Sequence, residues 1–500
     1  MHTLDADYDQ PMLLPQAVED WISSDHPARF IREVVEASKL EALGFKIPAA
    51  QTGRPPYSRK LLLRVWLYAY WRKISSTRKI EFACREEMGF IWLCGNLKPD
   101  HSVLWRFFDE NRQALREFFI YTVKVAIKLD LVGMQLQAID GTKIQAACSG
   151  GGGFDKKALE TLDEQLNKQI LELEERIEQS ADETGDTQLP EELANRKALQ
   201  QKVQSALNTV LQKQTKHCSP HEPDARRMKC DDRNRFGYNA QATVDQKKQI
   251  IVAESVTNEC NDTQQLPQML EQTRQNLGVQ DTTFLADGGY ATSKSHAAAE
   301  QKQFTVLTPL PAGTVAPSDN PYHAANFRYD CDANVFICPL YRQIPFQRTR
   351  KKGNVLIDVY RSAKACNGCP AFGVCTTDRH GRTIDKQQGY EALQNLRARL
   401  DESAQRMLAM RARIVEPVFA QIKHNLNFRR WTHYGLDAVN AQWALLCSTW
   451  NLKKIYQAWL KTAPSSHPRP AHHRLITLIS VILANMQVNP ATYLNRRRIL

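Results

Sequence analysis

Thr283-Phe284-Leu285-Ala286-Asp287-Gly288-Gly289-Tyr290 is a short apolar run that ends on a carboxylate and two glycines. Such a run suits a buried strand, and Gly288-Gly289 lets the backbone turn sharply, leaving Asp287 exposed at the strand end. Working outward, Gln135 to Ala146 and Tyr238 to Asp245 alternate in part, and Ile250 to Val256 is a second apolar run. Asp262-Thr263 is placed to cap a helix through Leu277. The order strand, strand, strand, helix, strand, helix, strand, reaching Val306, predicts a mixed α/β core.

Two further acids stand out by placement. Asp140, in Ala138-Ile139-Asp140-Gly141-Thr142-Lys143, is delivered by a strand with an apolar flank. Glu416, in Arg413-Ile414-Val415-Glu416-Pro417-Val418-Phe419, lies in a helical pattern, with Lys423 seven residues on and so on the same face. Pro417 is expected to kink or restart that helix. Two Asp from neighbouring strands and a Glu from a packed helix can hold two divalent ions about 3.5–4 Å apart, a clamp for phosphoryl transfer. The alternative is two turn or cap acids and one solvated helix position. Asp245 is a rival acid, or a turn residue before Gln246-Lys247-Lys248-Gln249.

Around this core the pattern changes. Ala17 to Leu40, Arg59 to Arg72, Thr77 to Phe90 and Val103 to Lys128 carry apolar residues at helical spacing, defining a helical segment over 16–128. Arg59 and Arg64 flank the stripe Leu61, Leu62, Val65, Tyr68 and Ala69, which suits a helical DNA-binding unit or a plain bundle with solvated basic edges. Residues 149–218 form an insertion opened by Gly150 to Gly153. There Leu159, Leu162, Leu166, Ile170, Leu173 and Ile177 step by three and four, predicting an antiparallel helical hairpin. A second insertion, 311–389, is rich in turn residues and holds five of the twelve cysteines. Helical patterns return over 391–427 and 436–460, and 461–500 reads as a linker and tail ending in Arg496-Arg497-Arg498.

At 500 residues and 42% hydrophobic, the chain is long enough for several domains, and its composition excludes collagenous, fibrous and largely disordered classes. Its longest apolar run, Leu475 to Met486, is too short to cross a bilayer. The amino terminus lacks a secretory pattern, so the expected compartment is a reducing cytoplasm and the cysteines are not presumed paired. Net charge is +12, and because 158–211 holds about twelve acids against five bases (5 − 12 = −7), the remainder carries 12 + 7 = +19. That excess points to a polyanion, most simply nucleic acid.

The three acid segments together resemble the signatures of DDE transposases of bacterial insertion sequences. Gly53-Arg54-Pro55-Pro56-Tyr57, Ser75-Ser76-Thr77-Arg78 and Lys98-Pro99-Asp100-His101-Ser102 are similar to that group's helical amino-terminal domain. Gly237-Tyr238-Asn239-Ala240-Gln241 and Asn425 to Trp431 are similar to further family blocks, so the resemblance covers roughly 20–455. It implies an α/β fold with a ribonuclease-H-like mixed sheet core, built from 132–148, 225–310 and 390–460, with the helical amino-terminal domain and both insertions added. It also implies Mg²⁺ or Mn²⁺ held by Asp140, Asp287 and Glu416, and cleavage and strand transfer on double-stranded DNA at the element's terminal inverted repeats. A DNA-bound homo-oligomer near the nucleoid follows, without a membrane role. Lys423 matches a phosphate-holding position. The family's Tyr and Arg before the Glu are replaced by Ala409 and Ala412, leaving Arg413 and Arg411 as substitute phosphate contacts or solvated residues. Tyr290 either stacks on a DNA base or packs beside the glycine turn.

Cys338, Cys366, Cys369 and Cys375 suit a four-thiolate zinc site, since a two-residue gap lets a cysteine pair reach one ion; free buried thiols are the alternative. Cys331 is spare, and the scattered Cys84, Cys94, Cys148, Cys218, Cys230, Cys260 and Cys447 read as small apolar residues. Two rival functions share these features: a non-catalytic zinc-bearing DNA-binding regulator, and a metal nuclease of the same fold without transposition.

Overall fold

Pro27 sets where the first helix begins. Its fixed φ suits a first helical position, and His26 Nδ1 accepts the Ala28 N–H, so α1 runs Pro27–Ala37 rather than from Ala17 as the periodicity suggested. The computed structural model describes residues 17–46, 55–148, 153–180, 188–213, 216–279, 281–310, 320–352 and 355–462. Gly53-Arg54, Gly150 to Gly152, the start of the cysteine insertion at 311–319, and the tail beyond 462 lie outside them.

The chain divides into two units, 1–131 with 422–500, and 132–421. The segment expected as one piece of core, 390–460, is therefore shared between them. In the first unit α1 is followed by α2 (Arg59–Trp71), α3 (Thr77–Glu86), α4 (Met88–Cys94), α5 (His101–Glu110) and α6 (Arg112–Lys128), and the Leu436–Thr462 helix packs on α6 and α2. Two expected helices are split, one at Glu87 and one at Asn111. Trp66, Phe107, Phe108, Phe118, Phe119 and Trp443 are fully buried here, and Gln442 Nε2 donates to Tyr70 Oη at 2.7 Å.

The second unit is built on a six-stranded sheet. β1 (Leu136–Gln145) leads through the arm to β2 (Arg226–Cys230), β3 (Arg233–Asp245) and β4 (Ile251–Thr257). The arm is the predicted antiparallel pair, α7 (Lys156–Ser180) and α8 (Gln188–Lys213), closed by Leu159, Leu166, Val203, Ala206 and Val210 and by a 2.6 Å Lys197–Glu174 ion pair. After β4 come α9 (Leu266–Leu277), β5 (Thr283–Leu285), α10 (Ser293–Gln301) and β6 (Thr305–Leu307). Strand order is β2-β3-β1-β5-β6, with β4 sharing the β2 edge of β3. β1 runs antiparallel to β3 and parallel to β5, and β5 parallel to β6. Ile139, Leu266, Leu270, Phe284, Tyr290 and Val306 are among the residues that bury the α9 and α10 side of the sheet.

The cysteine insertion, expected only as turn-rich, is a second sheet. β7 (Arg328–Asp330), β8 (Val335–Ile337), β9 (Gln343–Lys352) and β10 (Val355–Tyr360) precede the short α11 (Ala363–Cys366), and β11 (Ile384–Gln387) completes the order β11-β10-β9-β8-β7. Phe327, Phe336, Ile344, Tyr360 and Ile384 form its core. The helical stretch expected over 391–427 is three helices, α12 (Tyr390–Arg399), α13 (Glu402–Ala409) and α14 (Arg411–Ala420), followed by a π-helical turn over Gln421–Asn425. No helix among the described residues is long and apolar enough to cross a membrane.

Candidate active site

Register brings the two aspartates together. In the parallel β1–β5 pair Ala138 faces Leu285, so Asp140 on β1 and Asp287 just past the end of β5, each two residues on, emerge at the same level. Asp140 is half-buried and its Oδ1 accepts its own neighbour's Gly141 N–H at 2.8 Å; Asp287 Oδ1 accepts the Gly289 N–H at 2.8 Å. Burial pushes the Asp140 carboxyl up to about 6; the Arg411 guanidinium opposes that shift, and the Asp287 charge adds to it.

Glu416 arrives on α14, which packs against β1 and β3. Pro417 has no N–H for the carbonyl of Arg413, and Gln249 of the β3–β4 turn supplies the missing donor: its Nε2 reaches both Arg413 O and Ile414 O at 3.3 Å. The proline is thus accommodated inside α14 rather than breaking it. Arg411 spans the acids, with Nη1 2.9 Å from Asp140 Oδ2 and Nη2 3.6 Å from Glu416 Oε1. Glu416 itself is exposed, as is Arg413.

A fourth carboxylate stands in the same place. Asp262 does not cap a helix, correcting the expectation from its sequence position: α9 starts four residues later, behind Gln265, with no side-chain cap. Its Oδ1 instead accepts from Asn239 Nδ2 and Gln241 Nε2 of β3, both at 2.7 Å and closer than their other acceptors, Glu259 O at 3.3 Å and Asn239 Oδ1 at 3.0 Å. Gly141 is required by this crowding. A Cβ there would overlap Gln241 Nε2 and lie 2.7 Å from Asp262 Oδ1 and 2.8 Å from Asn239 Oδ1. Sequence reasoning missed Asp262 as a site residue; its hydrogen-bond partners lie more than twenty residues earlier, and no local pattern points to them.

Tyr290 is wholly buried and donates to Gln241 Oε1, so its ring packs beside the glycine turn and offers no face to a base. Burial first, then the charges of Asp262, Asp140 and Asp287, hold its hydroxyl well above the usual range and keep it a donor. Asp245 is the structural residue its position allowed. Its buried carboxylate accepts the N–H groups of Gly133, Met134 and Lys247 and the Gln137 amide, closing the β3–β4 turn onto the start of β1.

The remaining expected residues are dispersed. Arg59 pairs with Glu110 at 2.9 Å and donates to Lys46 O, while Arg64 pairs with Glu36 at 3.0 Å, all within the first unit. Lys423 sits on the π-helical turn over Gln421–Asn425. Cys338, Cys366, Cys369 and Cys375 line one cavity, with Arg342 N–H and Arg382 N–H each 3.3 Å from the sulfurs of Cys338 and Cys366. Exposed Cys331 does not line it. Among the described residues no three His, Cys, Asp or Glu side chains converge closely enough to hold a metal ion.

A helical unit joined to a mixed α/β unit with acids gathered at the ends of parallel strands is matched by two family models. Residues 16–110 match the transposase domain DUF772, and residues 337–456 match the transposase DDE domain. In these two segments the chain is similar to DDE transposases. The second spans Glu416, Lys423 and the four clustered cysteines, while Asp140 and Asp287 fall between the two matched segments. Among solved structures the chain is similar to a cryo-EM piggyBac transposase synaptic complex with hairpin DNA, at 10% identity over 94% of this chain and 81% of that one. The TM-score of 0.34 marks a superposition too loose to define a shared fold. No curated protein matches.

Proposed function

We propose that this transposase binds the terminal inverted repeats of its own insertion sequence, cleaves the DNA ends and joins the 3′ ends to target DNA by divalent-metal phosphoryl transfer at Asp140, Asp287 and Glu416. The observation that carries the reading is the level placement of Asp140 and Asp287 on neighbouring strands, with Arg411 joining Asp140 to Glu416. Strand order β4-β3-β1-β5-β6, three antiparallel strands followed by two parallel to β1, supports a ribonuclease-H-like core.

Three carboxylates supply the oxygen donors that Mg²⁺ or Mn²⁺ takes, and holding such an ion would require them to draw closer than they stand here, with Arg411 displaced from Asp140 and Glu416. When bound, such ions activate the attacking oxygen and stabilise the leaving one. The chain's own part is positional. β1 and the Asp287 turn hold two carboxylates level, α14 brings the third, and Arg411, once released from the acids, is free to meet a phosphate. In the first step water attacks the phosphorus at the element end, and the P–O3′ bond breaks to leave a 3′-hydroxyl. In the second that hydroxyl attacks a target phosphodiester and expels the target's own 3′-oxygen, with no covalent protein intermediate. The basic excess grips the backbone of double-stranded DNA, Lys423 and exposed Arg413 among the contacts, in an oligomer formed on the DNA within the nucleoid.

Asp287→Ala is expected to abolish cleavage of an end-bearing DNA while leaving end binding, measured by gel shift, nearly intact. Full cleavage by that variant would favour a DNA-binding regulator, and loss of both activities together would remove Asp287 from the catalytic role.

The four-cysteine cavity supports bound zinc. Four thiols face one space, two already accept backbone N–H groups, and the Cys375 thiol, raised by burial first, is raised further by Cys366, Cys338 and Cys369, a mutual repulsion that a divalent ion would relieve. Binding requires the sulfurs to draw in further than they stand here. Purified protein is expected to carry one zinc per chain by elemental analysis, lost in Cys366→Ser; a metal-free preparation of full thermal stability would contradict it.

A further inference from the structure

The Asp262 carboxylate does two things at once. Oδ1 takes the amide N–H groups of Asn239 and Gln241, the β3 residues paired in register with Lys143 and Gly141, immediately beyond Asp140. Oδ2 faces the other way, 3.8 Å from where a Cβ at Gly289 would stand, beside the turn that carries Asp287. One carboxylate therefore lies against both backbone segments that present the site aspartates.

The chemistry of the network gives it a direction. Asp262 Oδ1 accepts from Gln241 Nε2, which turns Gln241 Oε1 toward Tyr290, whose hydroxyl donates to it. Tyr290 ends the Gly288–Tyr290 turn that Asp287 caps. The chain Asp262, Gln241, Tyr290 thus ties β3, and through it Asp140 on β1, to the position of Asp287 on the far side. Gln241 Nε2 also reaches Asn239 Oδ1 at 3.0 Å, so neither amide is free to turn over while the carboxylate is present.

We infer that Asp262 is a positioning residue of the acid site, setting the separation of Asp140 and Asp287 through Gln241 and Tyr290. This rests on the proposed reading of those aspartates as the divalent-ion acids. A positioning role belongs to the hydrogen bonds rather than to the charge: Asn at 262 keeps an oxygen for both amides, and Ala keeps none.

The test is Mn²⁺ titration of the full-length protein, followed by the electron paramagnetic resonance signal of free Mn²⁺, with thermal midpoints recorded in parallel. Asp262→Ala is expected to weaken Mn²⁺ binding by about tenfold or more, the usual effect of losing a partner that orients a ligand, and Asp262→Asn to restore it to within about threefold. Tyr290→Phe cuts the same chain without opening a cavity, should weaken binding in the same sense, and decides the matter if Asp262→Ala does not fold. Wild-type affinity in a folded Asp262→Ala variant, or in Tyr290→Phe, would overturn the inference. So would an Asp262→Asn variant as weak as Ala, because charge would then be the agent. Asp140→Ala serves as the control: unchanged Mn²⁺ binding there would sink the acid-site reading itself, and this inference with it.

Discussion

Asp140 sits in a contest of three influences. Burial favours its neutral form, Arg411 at 2.9 Å favours the ion, and Asp287 opposes it; burial wins, leaving the carboxyl at about 6. The unfolded chain releases that proton near the ordinary carboxylate value, so between about pH 4 and 6 the folded state holds more protons than the unfolded. Stability contributed by Asp140 is therefore present at low pH and lost as pH rises through about 6, by about 3 kcal/mol for a shift of this size. Urea midpoints of the metal-free protein compared with Asp140→Asn between pH 4 and 7 should show this decline in the wild type only; parallel curves would show that Asp140 titrates normally. The placement of Asp140 and Asp287 was legible because each closes an apolar run at a strand. That of Asp262 was not, because Asp-Thr before a helical pattern reads as a cap, and only the β3 amides across the sheet reveal what the carboxylate holds.

At the scale of elements, the proline turn of α14 is covered by a polar side chain from elsewhere in its unit. Gln249, with φ of 56° in the tight β3–β4 turn, covers the two carbonyls that the proline leaves open or strained. Gln249→Ala should cost about 1 kcal/mol of stability, the net worth of such hydrogen bonds, and reduce cleavage more than end binding because Glu416 rides on the freed helix. An unchanged urea midpoint and cleavage rate would show that packing on β1 and β3 alone places α14. The helical arm was readable because its stripe of leucines keeps one period through α7. Within 391–427 the helical spacing runs on across the breaks, although Asp401 caps α13 through the Ala404 N–H at 2.8 Å and is a recognisable start signal. Nor was the five-stranded sheet visible. β9 carries Arg348, Arg350 and Lys351 on exposed positions, and with only Ile344 buried among the described residues its alternation is too thin to announce a strand.

At the scale of the whole molecule, the sequence separates an acidic arm from a basic remainder, and the two family matches bracket the segments that carry Asp140 and Asp287. The mixed α/β class, the amino-terminal helices and the helical arm were legible from periodicity, and the cysteine insertion only from its turn residues and cysteines. The allotment of residues beyond 421 to the amino-terminal unit was not, since a helix pattern does not say which core it joins. The function proposed for Asp140, Asp287 and Glu416 is to cut DNA at the ends of the chain's own element. Purified protein and its Asp140→Ala variant, incubated with Mg²⁺ and a plasmid carrying the DNA that flanks the gene, test it most directly when every break is mapped to the nucleotide. Breaks are expected at the two ends of an inverted repeat and should vanish in the variant. Breaks that persist unchanged in Asp140→Ala, or fall without regard to a repeat, would contradict it.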